Sequence, residues 1–298
     1  MKERSNNSPP PRSDCRIFIG TGGYAHTEWI EAGFYPPGTP ASKMLALYAR
    51  RFPVVELGTS WYQLPRPESI ERQRRRVPPD FLFTAKLTRS FTHEIDDHRW
   101  PDLIRAYRDG IAPLVQTHQL AAVLIQLPPT FDRIPHHRRH LAALLDKLHG
   151  LPLAVEFRHP SWAHPRVAEE LRRRQVALVI VDSPDSKRLR PAVETVTHPD
   201  LIYVRFYGRN IRGWRSRKPA AQFDYSYSDD ELRAWLEVRL DPLFGRARRG
   251  IIAFNNHVRA QAPKNAERLM VLLREKGIEP VRPVGPNCLT AESQRAQS

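Results

Sequence analysis

The sequence is poor in cysteine. Two occur, Cys15 and Cys288, near opposite ends of the 298 residues. Neither stands in a CxxC pair or beside a histidine at ligand spacing, so no zinc site is indicated. A disulfide between them is open on paper, but a reducing compartment argues against it. Long apolar runs are missing as well. The runs "ALVIVD" at 177–182 and "GIIAF" at 250–254 fall far short of the ~20 residues that cross a bilayer. The opening "MKERSNNSPPPRSD" has no apolar stretch of the kind a signal peptide needs. A soluble, cytoplasmic protein with no membrane partner is the expectation. Lysine is scarce too: of 47 basic residues, 39 are Arg and 8 are Lys. Finally, "GTGGY" at 20–24 lacks the G-x-G-x-x-G spacing from which an open, dinucleotide-binding sheet normally starts.

What the chain does have is positive charge, +15 net. Such a balance attracts polyanions, so nucleic acid is one partner class to carry forward. The Arg-, Pro- and Ala-rich usage also fits a GC-rich genome, in which case the charge is a solvated surface. The runs "RQRRRV" at 72–77 and "RRRQ" at 172–175 read as solvated helix faces rather than contact patches. The ends, 1–14 and 286–298, are polar and read as disordered tails. That leaves one domain over 15–285, and the oligomeric state stays open.

Within that domain, eight short apolar runs recur, bounded by Pro, Gly and Asp. They are "RIFIGTGGY" (16–24), "VVELGTSWY" (54–62), "FLFTAKL" (81–87), "AAVLIQLPP" (121–129), "LAVEFRH" (153–159), "ALVIVDSP" (177–184), "LIYVRFYG" (201–208) and "GIIAFNN" (250–256). Between most of them lie segments with apolar residues three and four apart, as in "SKMLALYARRF" (42–52) and "HLAALLDKLHG" (140–150). "SDDELRAWLEVRL" opens with a capping box, Ser228 and Glu231, and Gly277 closes the last helix. Strand and helix in alternation predict parallel strands joined by right-handed crossovers, and eight strands close a (β/α)8 TIM barrel. The segment after strand six, "DSKRLRPAVETVTHPD", has little helical period and predicts an irregular crossover.

Polar residues gather at the strand ends. Thr21, Glu56, Lys86, Gln126, Glu156, Arg158, Asp182, Arg205, Asn255 and Asn256 all fall there. In a barrel these ends converge on the C-terminal rim, where barrel enzymes build their sites. Alternation puts Glu156 and Arg158 on one face, Tyr203, Arg205 and Tyr207 on one face, and Thr84 and Lys86 on one face. The expected mouth therefore sets Lys86, Arg158 and Arg205 against Glu56, Glu156 and Asp182. The cations suit an anion such as phosphate or carboxylate. Glu156 and Asp182 suit acid–base work, with Glu56 in support. Lys86 suits a base or a Schiff-base former if desolvated. His93, just past strand three, joins the catalytic candidates, and His159 joins the substrate-binding ones. Gln126, Asn255, Asn256, Thr21 and Tyr62 complete the substrate-binding set. A divalent metal held by carboxylates is open, but no clear ligand cluster supports one. The competing reading is a rim network that merely neutralises itself.

The loop "GRNIRGWRSRKPAAQFDYSY" at 208–227 is long, basic and aromatic. It suits a lid, a platform for stacked bases, or a variable surface loop.

Several of these motifs occur together, in order, in one known family. "IGTGGY", "FYP" (34–36), "VVELGTSWY", "FTAKLTRSFTH", "QLPP", "EFRHPSW", "DSP", "YVRFYG", "YSDDEL" and "FNN…APKNA" resemble the YecE-like family of barrel proteins, a domain of unknown function. The resemblance spans about Ile17 to Ala266, implies a (β/α)8 fold and points to the same rim residues. Two positions depart from the family's pattern: Gly58 stands in place of its Asn, and Tyr207 in place of its His. The resemblance implies no settled reaction. The expected function is an enzyme, a hydrolase, lyase or isomerase, that acts on a small anionic or phosphorylated substrate. The alternatives are a nucleic-acid-binding or processing protein and a non-catalytic ligand-binding barrel.

Overall fold

The computed structural model describes residues 15–93, 100–184, 195–216 and 218–283. The tails predicted at 1–14 and 286–298 lie outside these residues. Eight parallel strands close a barrel in sequence order, with β8 paired back to β1. They are β1 (Arg16–Gly22), β2 (Val54–Leu57), β3 (Leu82–Lys86), β4 (Leu120–Gln126), β5 (Leu153–Glu156), β6 (Ala177–Asp182), β7 (Ile202–Phe206) and β8 (Arg249–Phe254). All eight predicted strands are present. Their C-terminal limits come earlier than the apolar runs suggest. In the second run, Thr59–Tyr62 turn into a short helix, so Trp61 and Tyr62 are not strand residues.

The principal helices pack outside the barrel: α1 (Ala41–Ala49), α2 (Pro67–Arg74), α3 (Trp100–Gln116), α4 (Pro135–Lys147), α5 (Pro165–Arg173), α6 (Asp229–Trp235) and α7 (Gln261–Glu275). Their caps follow the sequence signals. Ser228 Oγ accepts from the Glu231 amide at 3.2 Å while the Glu231 carboxylate accepts from the Ser228 amide at 3.0 Å. Gly277 follows α7 at φ +75, a left-handed conformation that favours glycine. The arginine runs behave as solvated helix faces: Arg74 and Arg75 pair with Glu71, and Arg173 and Arg174 pair with Glu170. The middle of the crossover after β6, 185–194, lies outside the described residues, and 195–198 have no regular structure.

Two apolar layers result. One lies between strands and helices and includes Val55, Leu57, Phe83, Val155, Phe157, Val204, Phe206 and Phe254. The other fills the barrel with Phe18, Val54, Leu82, Leu124, Tyr203 and Ile251, among alanines at 122, 154, 177 and 253. Large and small side chains thus alternate in the interior, which makes it a packed core and not a pore. At the end where the strands begin, Arg16 and Arg249 lie over the Phe18 ring at 5.3 and 6.0 Å. Apolar filling stops near the strands' C-terminal ends, and the charged residues begin there. Among the described residues no helix is long and apolar enough to cross a membrane.

Candidate functional site at the C-terminal mouth

Arg205 on β7 is the centre of the mouth. Its Nε and Nη2 reach the two oxygens of Glu56 at 2.9 and 2.5 Å. Its Nη1 donates to the Glu156 carboxylate and to the Tyr207 hydroxyl, and Nη2 reaches Asn255 Oδ1 at 3.2 Å. The three charged groups are nearly sealed from solvent, at 2 % exposure for Arg205, 4 % for Glu56 and 1 % for Glu156. Burial is costly for each charge alone, so the bidentate geometry and the surrounding donors are what make the arrangement stable.

Neighbouring strands complete the set. Gln126 Nε2 at the end of β4 donates to Glu156 Oε1 at 2.8 Å and to the Tyr207 hydroxyl at 2.6 Å. Tyr203 donates to Glu56 Oε2 at 2.7 Å, and Thr84 meets the Tyr203 hydroxyl at 2.8 Å. Register explains the convergence. Gly22, Glu56 and Thr84 are consecutive partners across β1, β2 and β3, and Gln126 is opposite Glu156. A Cβ on Gly22 would stand 2.0 Å from Asn255 Oδ1, so glycine there makes room for Asn255.

Above this floor stand two cations with more access. Arg158 donates through Nε to Glu156 Oε1 at 3.0 Å and through Nη2 to the Tyr207 hydroxyl at 3.2 Å, with its side chain 26 % exposed. Lys86 Nζ lies 4.6 Å from the centre of the Trp61 ring. The helical turn that replaces the end of the second predicted strand places that ring. Ser60 Oγ donates to the carbonyls of Leu57 and Lys86 at 2.9 and 2.6 Å, and Thr88 Oγ1 donates to the Ser60 carbonyl at 2.8 Å.

The electrostatics separate floor from cover. Burial pulls the Lys86 ammonium down, Arg205 adds to that and Glu56 opposes it, so the pKa is lowered to about 8. For Glu156 burial acts upward, but Arg205 and Arg158 outweigh it and the carboxyl is held below its ordinary value. For Arg205 burial acts downward, and Glu56 and Glu156 outweigh it, so the guanidinium stays charged. Glu156 is therefore an anion at neutral pH with its oxygens occupied, which suits it to holding Arg205 and Arg158 and not to donating a proton. That departs from the acid–base role expected of it.

The structure brings Glu56, Lys86, Gln126, Glu156, Arg158, Arg205 and Asn255 together. It places the other candidates elsewhere. Asp182 was expected to face the mouth and does not. In β6, Val181 is the register partner of the inward Arg205, so Asp182 points outward. There its carboxylate accepts from Arg209 Nε at 2.8 Å and from the Tyr227 hydroxyl. Both faces of "ALVIVD" are apolar, so alternation carried no information about which way Asp182 pointed. Thr21 also faces outward, donating to Gly23 O at 2.7 Å and to the Tyr48 hydroxyl at 2.9 Å. Asn256 cannot share a face with Asn255; its Nδ2 donates to the Tyr225 carbonyl and to Asn265 Oδ1, tying β8 to α7. Tyr62 is 72 % exposed on its helical turn. His159 caps the short helix Pro160–Trp162, with Nδ1 on Ser161 Oγ at 2.8 Å. His93 is exposed, pairs with Thr92 Oγ1 at 2.8 Å and meets the Trp61 ring edge-on at 5.2 Å.

Other residues emerge only in three dimensions. Tyr207, which departs from the family pattern, is the hydroxyl hub of the floor. The basic aromatic loop folds into two short helices, Ile211–Ser216 and Pro219–Gln222. It sets Trp214 and Phe223 against the Tyr207 ring at 6.1 and 6.0 Å. The buried indole N–H groups of Trp61 and Trp214 have no hydrogen-bond partner among the described residues. On the β1–β8 side, His26, Glu28 and His257 form a group able to hold a metal ion. The sequence signal for it was weak: His26 and Glu28 are two apart in one loop, and His257 follows "FNN" 229 residues from Glu28.

Comparison with known proteins agrees with this architecture. The chain is 28% identical over 273 residues to the UPF0759 protein YunF of Bacillus subtilis, covering 86% of this chain and 94% of YunF. It is 31% identical over 189 residues to the UPF0759 protein YecE of Escherichia coli, covering 60% of this chain and 64% of YecE. Among solved structures, a DUF72 family protein from Thermotoga maritima matches at 31% identity and a TM-score of 0.77, over 87% of this chain and 99% of that one. One from Enterococcus faecalis matches at 26% identity and a TM-score of 0.73, over 88% and 99%. The family model described as "Protein of unknown function DUF72" matches residues 18–287. The chain belongs to the DUF72 family, the YecE-like (β/α)8 barrels.

Proposed function

We propose that this chain is an enzyme that takes a small anionic or phosphorylated substrate into the C-terminal mouth of its barrel. Arg158 and Lys86 hold the anion, and Lys86 serves as the proton-exchanging or carbonyl-attacking group. One observation carries the reading: two accessible cations stand over a floor whose carboxylates are already committed to Arg205. Among the described residues, Glu56 and Glu156 against Arg205, Arg158 and a protonated Lys86 leave one positive charge over in the mouth. A self-neutralising network has no need of the fifth group. Desolvating an ammonium that makes no ion pair among the described residues is costly without a ligand to offset it. Glu156, Glu56, Gln126 and Tyr207 then position Arg158 and Arg205. They do not themselves transfer protons.

A thermal-shift panel tests this. It contains inorganic phosphate, sugar phosphates, small carboxylates and short single-stranded oligonucleotides. A small anion is expected to raise the melting temperature, and at a concentration ~100-fold above Kd it stabilises by about 2.7 kcal/mol. Arg158→Ala should weaken that ligand about tenfold or more, while Glu156 keeps its bonds to Arg205, Gln126 and Tyr207. No shift with any small anion, or equal shifts in wild type and variant, would count against the reading. Oligonucleotide binding that falls steeply as salt rises would instead favour a nucleic-acid substrate under the 208–227 loop.

A further inference from the structure

We infer that His26, Glu28 and His257 form a binding site for one divalent transition-metal ion at the β1–β8 edge of the mouth. The three offer two imidazole nitrogens and a carboxylate oxygen that all lie within 4.8 Å of one another, and each side chain is half-buried and reachable from solvent. The group is assembled by the fold, since two donors follow β1 and the third follows β8. Trp29 fastens these two loops together: its Nε1 donates to the His257 carbonyl at 2.7 Å, and its ring stacks on His26 at 4.7 Å. His26 and His257 stack in turn at 4.7 Å, and His257 Nδ1 is 3.4 Å from Glu28 Oε1. Gly23 clears the space beneath. At φ +91 it takes a conformation that favours glycine, and a Cβ there would stand 3.0 Å from His26 Nε2.

The donor set selects the ion. Two nitrogens and one carboxylate suit zinc, iron, cobalt or nickel, whereas magnesium and calcium prefer all-oxygen surroundings. Around a tetrahedral ion with bonds of about 2.1 Å, donor atoms stand about 3.4 Å apart. The nearly parallel imidazoles, 11° between planes, therefore have to swing toward one another on binding. Three protein donors leave at least one position open for water or substrate. The site adjoins the mouth: Phe223 touches both the Tyr207 ring at 6.0 Å and the His257 ring at 5.4 Å. It shares no residue with the Lys86–Arg158 cover, so its existence does not depend on the substrate assigned above.

Titrating the untagged, metal-stripped full chain with cobalt(II) chloride tests the site. Visible absorbance of a nitrogen-ligated cobalt ion should rise to a plateau at one equivalent per chain. Trp29 fluorescence should be quenched in parallel. His257→Ala and Glu28→Gln should each weaken cobalt binding about tenfold or more. The Glu28 variant keeps all the ring packing, so it reports on ligation even if the His257 variant is poorly folded. Absence of a one-equivalent plateau in the wild type, or a plateau unchanged in Glu28→Gln and a folded His257→Ala, overturns the assignment. The second outcome would place the ion on other histidines, such as those at 136–140.

Discussion

Replacing Arg205 with alanine is expected to destabilise the fold by about 3–5 kcal/mol, the usual consequence of leaving a buried charge without its partner. The reason is local. Glu56 and Glu156 are 4 % and 1 % exposed, and Arg205 is the group that bridges them. Without it, among the described residues, Glu56 keeps only the Tyr203 hydroxyl and Glu156 keeps Arg158, Gln126 and Tyr207. Two carboxylates would then face each other across a dry floor. The variant should escape by protonating one of them, so its loss of stability should shrink as pH falls through the carboxylate range. Chemical denaturation at several pH values checks both statements. Adding Glu56→Gln to an Arg205→Met variant should recover much of the loss, because the Glu56 charge is gone and Glu156 keeps Arg158 as its partner. A loss below about 1 kcal/mol for Arg205→Ala would mean that water already reaches the floor.

Lys86→Met is expected to act in the opposite direction, stabilising the protein near neutral pH while removing the reactive group. The Lys86 amine is lowered from 10.5 to about 8 in the native state. Below about pH 8 both native and unfolded chains hold the proton, and the native state bears the full penalty of a desolvated ammonium. Between about 8 and 10.5 the unfolded chain still holds a proton that the native chain has released. Stability therefore rises with pH across that window and the penalty is gone above it. The gap corresponds to at most about 3 kcal/mol, and solvent access to the partly exposed amine brings the expected gain to about 1–2 kcal/mol. The gain in the variant should be largest below pH 8 and should fade toward pH 10.5. A pH-independent difference would show that methionine merely packs better against Trp61.

The contrast between these two residues shows how far the sequence could be read. Eight β-prone runs alternating with helical segments are enough for the barrel, because each run needs a covered face and each crossover must return the same way round. Inward residues were legible where a strand alternates polar and apolar, as in "YVRFY", where Tyr203, Arg205 and Tyr207 face in and Val204 and Phe206 face out. The same parity served Glu156 and Arg158, and Thr84 and Lys86. It failed for Asp182, since β6 is apolar on both faces and a single terminal carboxylate has nothing to set its phase. Thr21 and Asn256 lie at strand ends but each adjoins an inward residue, so the same alternation turns them outward. In β2 the apolar run outlasts the strand, because "GTSWY" begins a helical turn that alternation cannot foresee. That turn is what brings Trp61 over Lys86. The histidine and glutamate group at the β1–β8 edge depends on barrel closure, a contact between the two ends of the chain that no local pattern announces.

The central claim is that Lys86 is a neutral-capable amine held beside an anion-binding guanidinium. The most direct measurement is its rate of reaction with pyridoxal 5′-phosphate, an anionic aldehyde, trapped by borohydride and read peptide by peptide from about pH 6 to pH 10. The account predicts that Lys86 is modified ahead of the other seven lysines, with a midpoint near pH 8, and that Arg158→Ala slows it about tenfold. Modification spread evenly over the lysines, or a Lys86 midpoint near its ordinary 10.5, would contradict it.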